Sequence, residues 1–310
     1  MRQSAAKLFG RGFLQDIRIT IERTVEDLLD AFEKETLQEG SADFNSLVGE
    51  QLPIMTIGGW LQLPSADYPL LRSLVNKQVL TQEFFPQPSD IGNSDNATQR
   101  LRDYFGEVVR ERRAAPGDDP VSLWIRAWDE MEPDREKADA AVHSLAFFVL
   151  EAALETTTHL LNGVTLMLLK RPERYAWLRA HPEQIPNAVE ESLRYDAPIH
   201  MISRIAPEDL TLGGAPVQAG EMVQLMVGAA HHDERRFEEP QDFDIQRQPT
   251  HLAFSSGMHY CLGAPLARME GVAMLTSLLA RMPGLRIAQS PTWAGQVTFR
   301  RLTSFRLALD

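Results

Sequence analysis

The sequence predicts a mainly α domain with small β-sheets, and three observations carry that prediction. From Asp134 to Lys170 there is no proline and a single glycine, Gly163, so one helix of roughly 55 Å, at about 1.5 Å per residue, crosses the domain. Upstream, apolar residues recur at helical spacing, as with Val25, Leu28, Leu29 and Phe32 in "IRITIERTVEDLLDAFEKE". After Tyr195 the pattern changes to the glycine turns and alternation of short strands in "DLTLGGAPVQAGEMVQLMVGA".

The remaining elements follow in order. "MRQSAAKLFGRGFLQDIR" is basic and lacks the apolar core of a signal peptide, so it reads as an amphipathic helix. "ADFNSLVGEQLPIMTIGGWLQL" is a helical stretch punctuated by Pro53 and the Gly58-Gly59 pair, and "SADYPLLRSLVNKQVL" is another, with Ser65 as its N-cap. "ATQRLRDYFGEVVRERRAAPGDDP" ends at Pro116-Gly117, while "PERYAWLRA" and "PNAVEESLRYD" follow the long helix. A last helix from about Gly263 to Arg281 precedes a β-like tail. No stretch has the composition of a linker, so residues 1–310 read as one domain.

With 44% apolar residues the chain can bury a large core. Forty-three acids against thirty-one bases leave a net charge of -12, which disfavours nucleic acid as a partner. The most apolar run, "AVHSLAFFVLEAAL", is broken by Glu151 and falls short of the ~20 residues that span a bilayer, so it reads as a buried helix and no membrane is expected. One cysteine allows no internal disulfide and suits a reducing cytosol.

That cysteine, Cys261, lies in "FSSGMHYCLGAPLARMEG", Phe254 to Gly271. Thiolate is the metal-binding form of cysteine, and a helix N-terminus stabilises it through the dipole and free N–H groups. Gly257 and Gly263 would let the backbone approach a flat ligand, and His259 adds a donor. Taken alone, a lone cysteine is more often a buried structural residue, and other segments have to decide the matter.

Those segments resemble the cytochrome P-450 family, the haem-thiolate monooxygenases. "FSSGMHYCLG" is similar to its F-x-x-G-x-[HR]-x-C-x-G signature, and "EESLR" to its E-x-x-R pair through Glu191 and Arg194. "FDIQR" places Arg247 as the third member of that ion cluster. "LEAALETTT" resembles the oxygen-activating part of the long helix, with Glu155 and Thr156 in the acid and alcohol positions and Ala153 where the family usually has glycine. The resemblance runs through nearly the whole chain.

It implies a P-450-like helical fold that binds haem b through Cys261, with Phe254, Gly257 and Gly263 shaping the loop. His259 and Arg204 would meet the propionates, a surface ion pair being the competing reading for Arg204. Glu191, Arg194 and Arg247 would support the cysteine loop and do no bond chemistry. Thr156 would bond back to a carbonyl one turn earlier and open a groove for oxygen, with Glu155 passing protons to it. Ala152, Ile199, His200 and Ile202 read as pocket wall, a solvent-facing His200 being the alternative. His231 and His232 replace the family's Asn-Arg; an adjacent pair with no third ligand reads as surface, so haem iron is the only metal expected.

The family pattern breaks at the start. "RQSAAKLFGRGF" aligns with the end of a haem-flanking helix, of whose H-x-x-x-R motif Arg2 alone matches. The N-terminal family segment is therefore expected to be missing, and a protein partner or homo-oligomer is one way to complete it. The implied activity is insertion of one oxygen atom from O2 into a small or medium, largely apolar metabolite, in the cytoplasm, with electrons from ferredoxin and its reductase. The alternatives are a haem-dependent peroxygenase or isomerase, and a non-catalytic binding or scaffold subunit.

Overall fold

The computed structural model describes residues 11–310, so the reading of Arg2 lies outside the described residues. The chain opens with α1 (Arg11–Glu39), β1 (Ala42–Asp43) and a π-helical turn at Asn45–Gly49. Seven helices follow: α2 (Gln51–Trp60), α3 (Tyr68–Gln78), α4 (Pro88–Ala114), α5 (Pro120–Met131), α6 (Arg135–Leu169), α7 (Pro172–Ala180) and α8 (Ile185–Tyr195). Strands β2 (Met201–Ile205), β3 (Leu210–Leu212), β4 (Ala215–Val217) and β5 (Met222–Met226) lead to the short α9 (Val227–Ala230). Helix α10 (Ala264–Arg281) and strands β6 (Leu285–Ile287), β7 (Thr292–Trp293), β8 (Leu302–Ser304) and β9 (Arg306–Leu309) complete it.

The strands form four small antiparallel sheets, β1-β9-β6, β2-β5, β3-β4 and β7-β8. The stretch expected to be helical from Ala42 therefore starts extended, because Ala42 and Asp43 pair with Leu307 and Arg306 from the far end of the chain. Ser65 is not the N-cap of α3: it opens a 3-10 turn, Ser65–Asp67, and no side chain caps the helix. Asp134 does cap α6, accepting from the N–H groups of Glu136 and Lys137 at 3.1 and 3.3 Å.

Helix α6 organises the core. Every residue from Thr157 to Leu169 is buried, and along its whole length α6 packs against α2, α4, α5, α8 and α10. It is long and apolar enough to cross a membrane by length and composition, and these contacts explain the composition instead. Gly49 sets its distance from the π-turn, since a Cβ there would stand 2.6 Å from Asn162 Oδ1. Nearer its start α6 is less covered, with Phe148 and Ala152 exposed.

Candidate functional site

Cys261 is exposed and carries no disulfide. Its N–H donates to the Phe254 carbonyl at 2.9 Å, closing the loop that leads into α10. Gly257 has φ +59° and so occupies the left-handed region that disfavours a side chain. Gly263, by contrast, is the N-cap of α10 at φ −80° and needs no special backbone freedom. Phe254 is buried and His259 exposed.

Behind the loop the structure brings Glu191, Arg194 and Arg247 together. Arg194, fully buried, donates to both Glu191 oxygens at 2.8 and 2.7 Å and to the carbonyls of His231, Pro240 and Asp242 at 2.8, 3.0 and 3.0 Å. Arg247 Nε lies 3.4 Å from Glu191 Oε1, which also accepts the Asp244 N–H at 3.0 Å. The charges are buried but paired, which is the condition for keeping them there.

His231 departs from the surface position expected for it. It is buried, and its Nε2 accepts the Leu252 N–H at 2.8 Å at the start of the cysteine loop. Burial, with the charges of His251 and Arg194, pushes its imidazole down to about 4. His232 turns away, with Nδ1 3.1 Å from the Gly228 carbonyl oxygen.

Sequence reasoning missed a second network beside the first. Glu190 accepts from Arg268 Nε and Nη2 at 2.6 and 2.8 Å, and His251 Nε2 lies 3.1 Å away. The adjacent acids of "VEESLR" and the arginine of "LARMEG" were visible, but nothing local pairs them.

On α6, the Thr156 hydroxyl donates to the Ala152 carbonyl at 2.8 Å, the back-bond expected of it. Glu155 points elsewhere. Its carboxylate lies 3.5 Å from Arg72 Nη2 and 3.4 Å from His159 Nε2, away from the Thr156 hydroxyl. Burial by itself would raise this carboxyl, but His159 and Arg72 outweigh it and hold it at about 2. Among the described residues no hydrogen bond joins the Glu155 carboxylate to the Thr156 hydroxyl.

The pocket-wall residues are spread over two segments. Ala152 is exposed on α6, and Ile199, His200 and Ile202 are half-buried after α8. Ile199 bridges to Phe299, and His200 is held by Asp196, with Nε2 to Oδ1 at 3.3 Å, instead of facing solvent freely. The Arg204 guanidinium on β2 donates to the Ser203 carbonyl at 2.8 Å. Among the described residues no carboxylate pairs with it, so the surface ion pair considered for it is not formed there.

These features suit a flat apolar group with an anionic edge. They comprise an exposed thiol, exposed apolar side chains on α6 and on the cysteine loop (Phe148 62%, Leu252 45%, Met258 78%), and a cation without a protein carboxylate. That donor set fits haem.

Comparison with known proteins agrees. A family model described as Cytochrome P450 matches residues 74–282. Over its full length the chain is 34% identical to the polyketide biosynthesis cytochrome P450 PksS of Bacillus subtilis (strain 168), covering 75% of that protein. It is 35% identical to nocardicin C N-oxygenase of Nocardia uniformis subsp. tsuyamanensis, again covering 75%. Among solved structures, P450BioI in complex with hexadec-9Z-enoic acid ligated acyl carrier protein matches all of this chain and 78% of its own, with TM-score 0.92 and 29% identity. CYP109E1 from Bacillus megaterium in complex with testosterone matches all of this chain and 80% of its own, with TM-score 0.91 and 29% identity.

Proposed function

The chain belongs to the cytochrome P450 family of haem b monooxygenases, and from that premise we propose that it inserts one oxygen atom from O2 into a small or medium, largely apolar metabolite. A relative named for polyketide biosynthesis, and a neighbour solved with a carrier-bound fatty acid, support an apolar chain as the substrate class. Electrons come from a ferredoxin and its reductase, the setting is the cytoplasm, and residues 1–310 act as one haem domain.

The observation that carries the reading is Cys261, exposed at the end of a loop anchored by a buried ion cluster. Cys261 would hold the iron, and thiolate-bound haem supplies the activation of dioxygen. Arg204 and His259 would hold the propionates, and Phe254, Gly257 and Gly263 shape the loop beneath. The back-bonded Thr156 hydroxyl would hold a proton beside the reacting oxygen, and Glu155 would reach it only on leaving Arg72. Ala152, Ile199, His200 and Ile202 would bound the substrate.

The test is the reduced protein under carbon monoxide. A red-shifted Soret band of thiolate ligation is expected, lost in Cys261→Ala; an unshifted band in the parent would overturn the assignment.

A further inference from the structure

One carboxylate outside the Glu191 cluster reaches both ends of the cysteine loop. Along the first path, His251 Nδ1 accepts the Ala253 N–H at 3.2 Å, so Nε2 carries the proton donated to Glu190 at 3.1 Å. Residue 251, where the loop begins, is thereby tied to α8. Along the second path, Arg268 grips Glu190 with a two-pronged fork and sets Nη1 3.2 Å from the Tyr260 hydroxyl. Its guanidinium also lies 4.5 Å from the centre of the Phe254 ring. Phe254 accepts the Cys261 N–H, and Tyr260 is the residue before Cys261.

The segment between these ties has little backbone regularity. Ser255 and Gly257 both have φ +59°, and a single 3-10 turn spans Gly257–His259. Its conformation depends on side chains reaching it from outside. Glu191 serves the neighbouring segment through Arg194 and His231, whereas Glu190, through His251 and Arg268, reaches residues 251, 254 and 260.

We propose that Glu190 is a positioning residue that, through Arg268 and His251, sets the pose of the Cys261 thiolate. The proposal rests on the reading of Cys261 as iron ligand. Glu190→Gln keeps the shape but removes the charge, and Arg268→Lys keeps the charge but removes the fork. In the haem-loaded proteins, hydrogen exchange of the 251–261 backbone is measured against that of α1, alongside the ferric–ferrous potential and the carbon monoxide Soret band.

Loss of a charge-assisted tie predicts loop exchange faster by about tenfold with α1 unchanged. The band should move partly from its thiolate to its thiol position, and the potential should shift. Faster exchange with an unmoved band and potential would reduce Glu190 to ordinary fold support and overturn the proposal, as would unchanged exchange. If Glu190→Gln does not accumulate as folded protein, the same outcomes in Arg268→Lys support or overturn the proposal. A parent lacking the thiolate band overturns the ligand reading instead, and with it the role proposed for Glu190 toward the thiolate, while the exchange result still decides whether the clamp exists.

Discussion

The Glu155 carboxylate lies 3.5 Å from the Arg72 guanidinium, both of them almost sealed from solvent. Thr156, one residue along, turns its hydroxyl to Ala152 instead. Successive helix positions point about 100° apart, so acid and alcohol meet different surroundings. Arg72→Met would leave buried carboxylate without its cation, and a loss of roughly 3–5 kcal/mol at neutral pH is expected from denaturant unfolding. The Glu155 carboxyl is held at about 2, below its ordinary 4.5. Its stabilisation is therefore present above pH 4.5 and lost as pH falls toward 2, and that acid-side decline should flatten in Arg72→Met.

Thr156→Ala should fold normally, since the hydroxyl is a partly exposed back-bond. Reducing equivalents consumed should then exceed product formed, with the difference recovered as peroxide. An unchanged ratio of product to equivalents counts against the role given to Thr156.

Arg194→Leu strips Glu191 of its main partner and three backbone carbonyls of their donors. A loss of about 3–5 kcal/mol exhausts much of a typical domain's stability. Insoluble or haem-free protein is the expected product, and soluble protein with full haem content refutes it.

The Glu83 carboxylate accepts three consecutive backbone N–H groups, from Val297 and Thr298 at 2.8 Å and from Phe299 at 3.1 Å. Thr298 in turn accepts the His200 N–H at 2.8 Å, so the α3–α4 connection is tied to the pocket wall. In Glu83→Ala these amides should exchange about tenfold faster. Binding of apolar ligands should also discriminate less by size, as read from their spectral shifts.

Glu270 is buried on α10, and burial raises its carboxyl to about 8. A folded-state value above the ordinary 4.5 means that the folded chain keeps a proton the unfolded chain releases. Stability is then lost as pH rises from 4.5 toward 8. Glu270→Gln should match the parent near pH 4.5 and exceed it by roughly 4 kcal/mol at pH 8 in thermal or denaturant unfolding.

Much of the fold and of the site was legible because its signals are local. The unbroken α6, the glycine-punctuated strands and the cysteine loop each announce themselves within one stretch of chain. Glu191 and Arg194 stand three residues apart on one helix, so spacing alone put them on one face. Thr156 finds its acceptor one turn back for the same reason.

The pairings that no local pattern contains were decided by tertiary structure. Glu190 meets Arg268 across 78 residues and Glu83 meets Val297 across 214. Ala42 is a strand residue only because Leu307 arrives beside it. His231 is buried because the Leu252 N–H needs its nitrogen, and Glu155 is turned from Thr156 because Arg72 of α3 packs against that side of α6. Sequence by itself determined the family and the helical architecture, and it singled out the cysteine proposed to bind iron. Which charges gather behind that cysteine's loop was left to the packing of distant helices, since a buried ion settles wherever its counter-charge is brought.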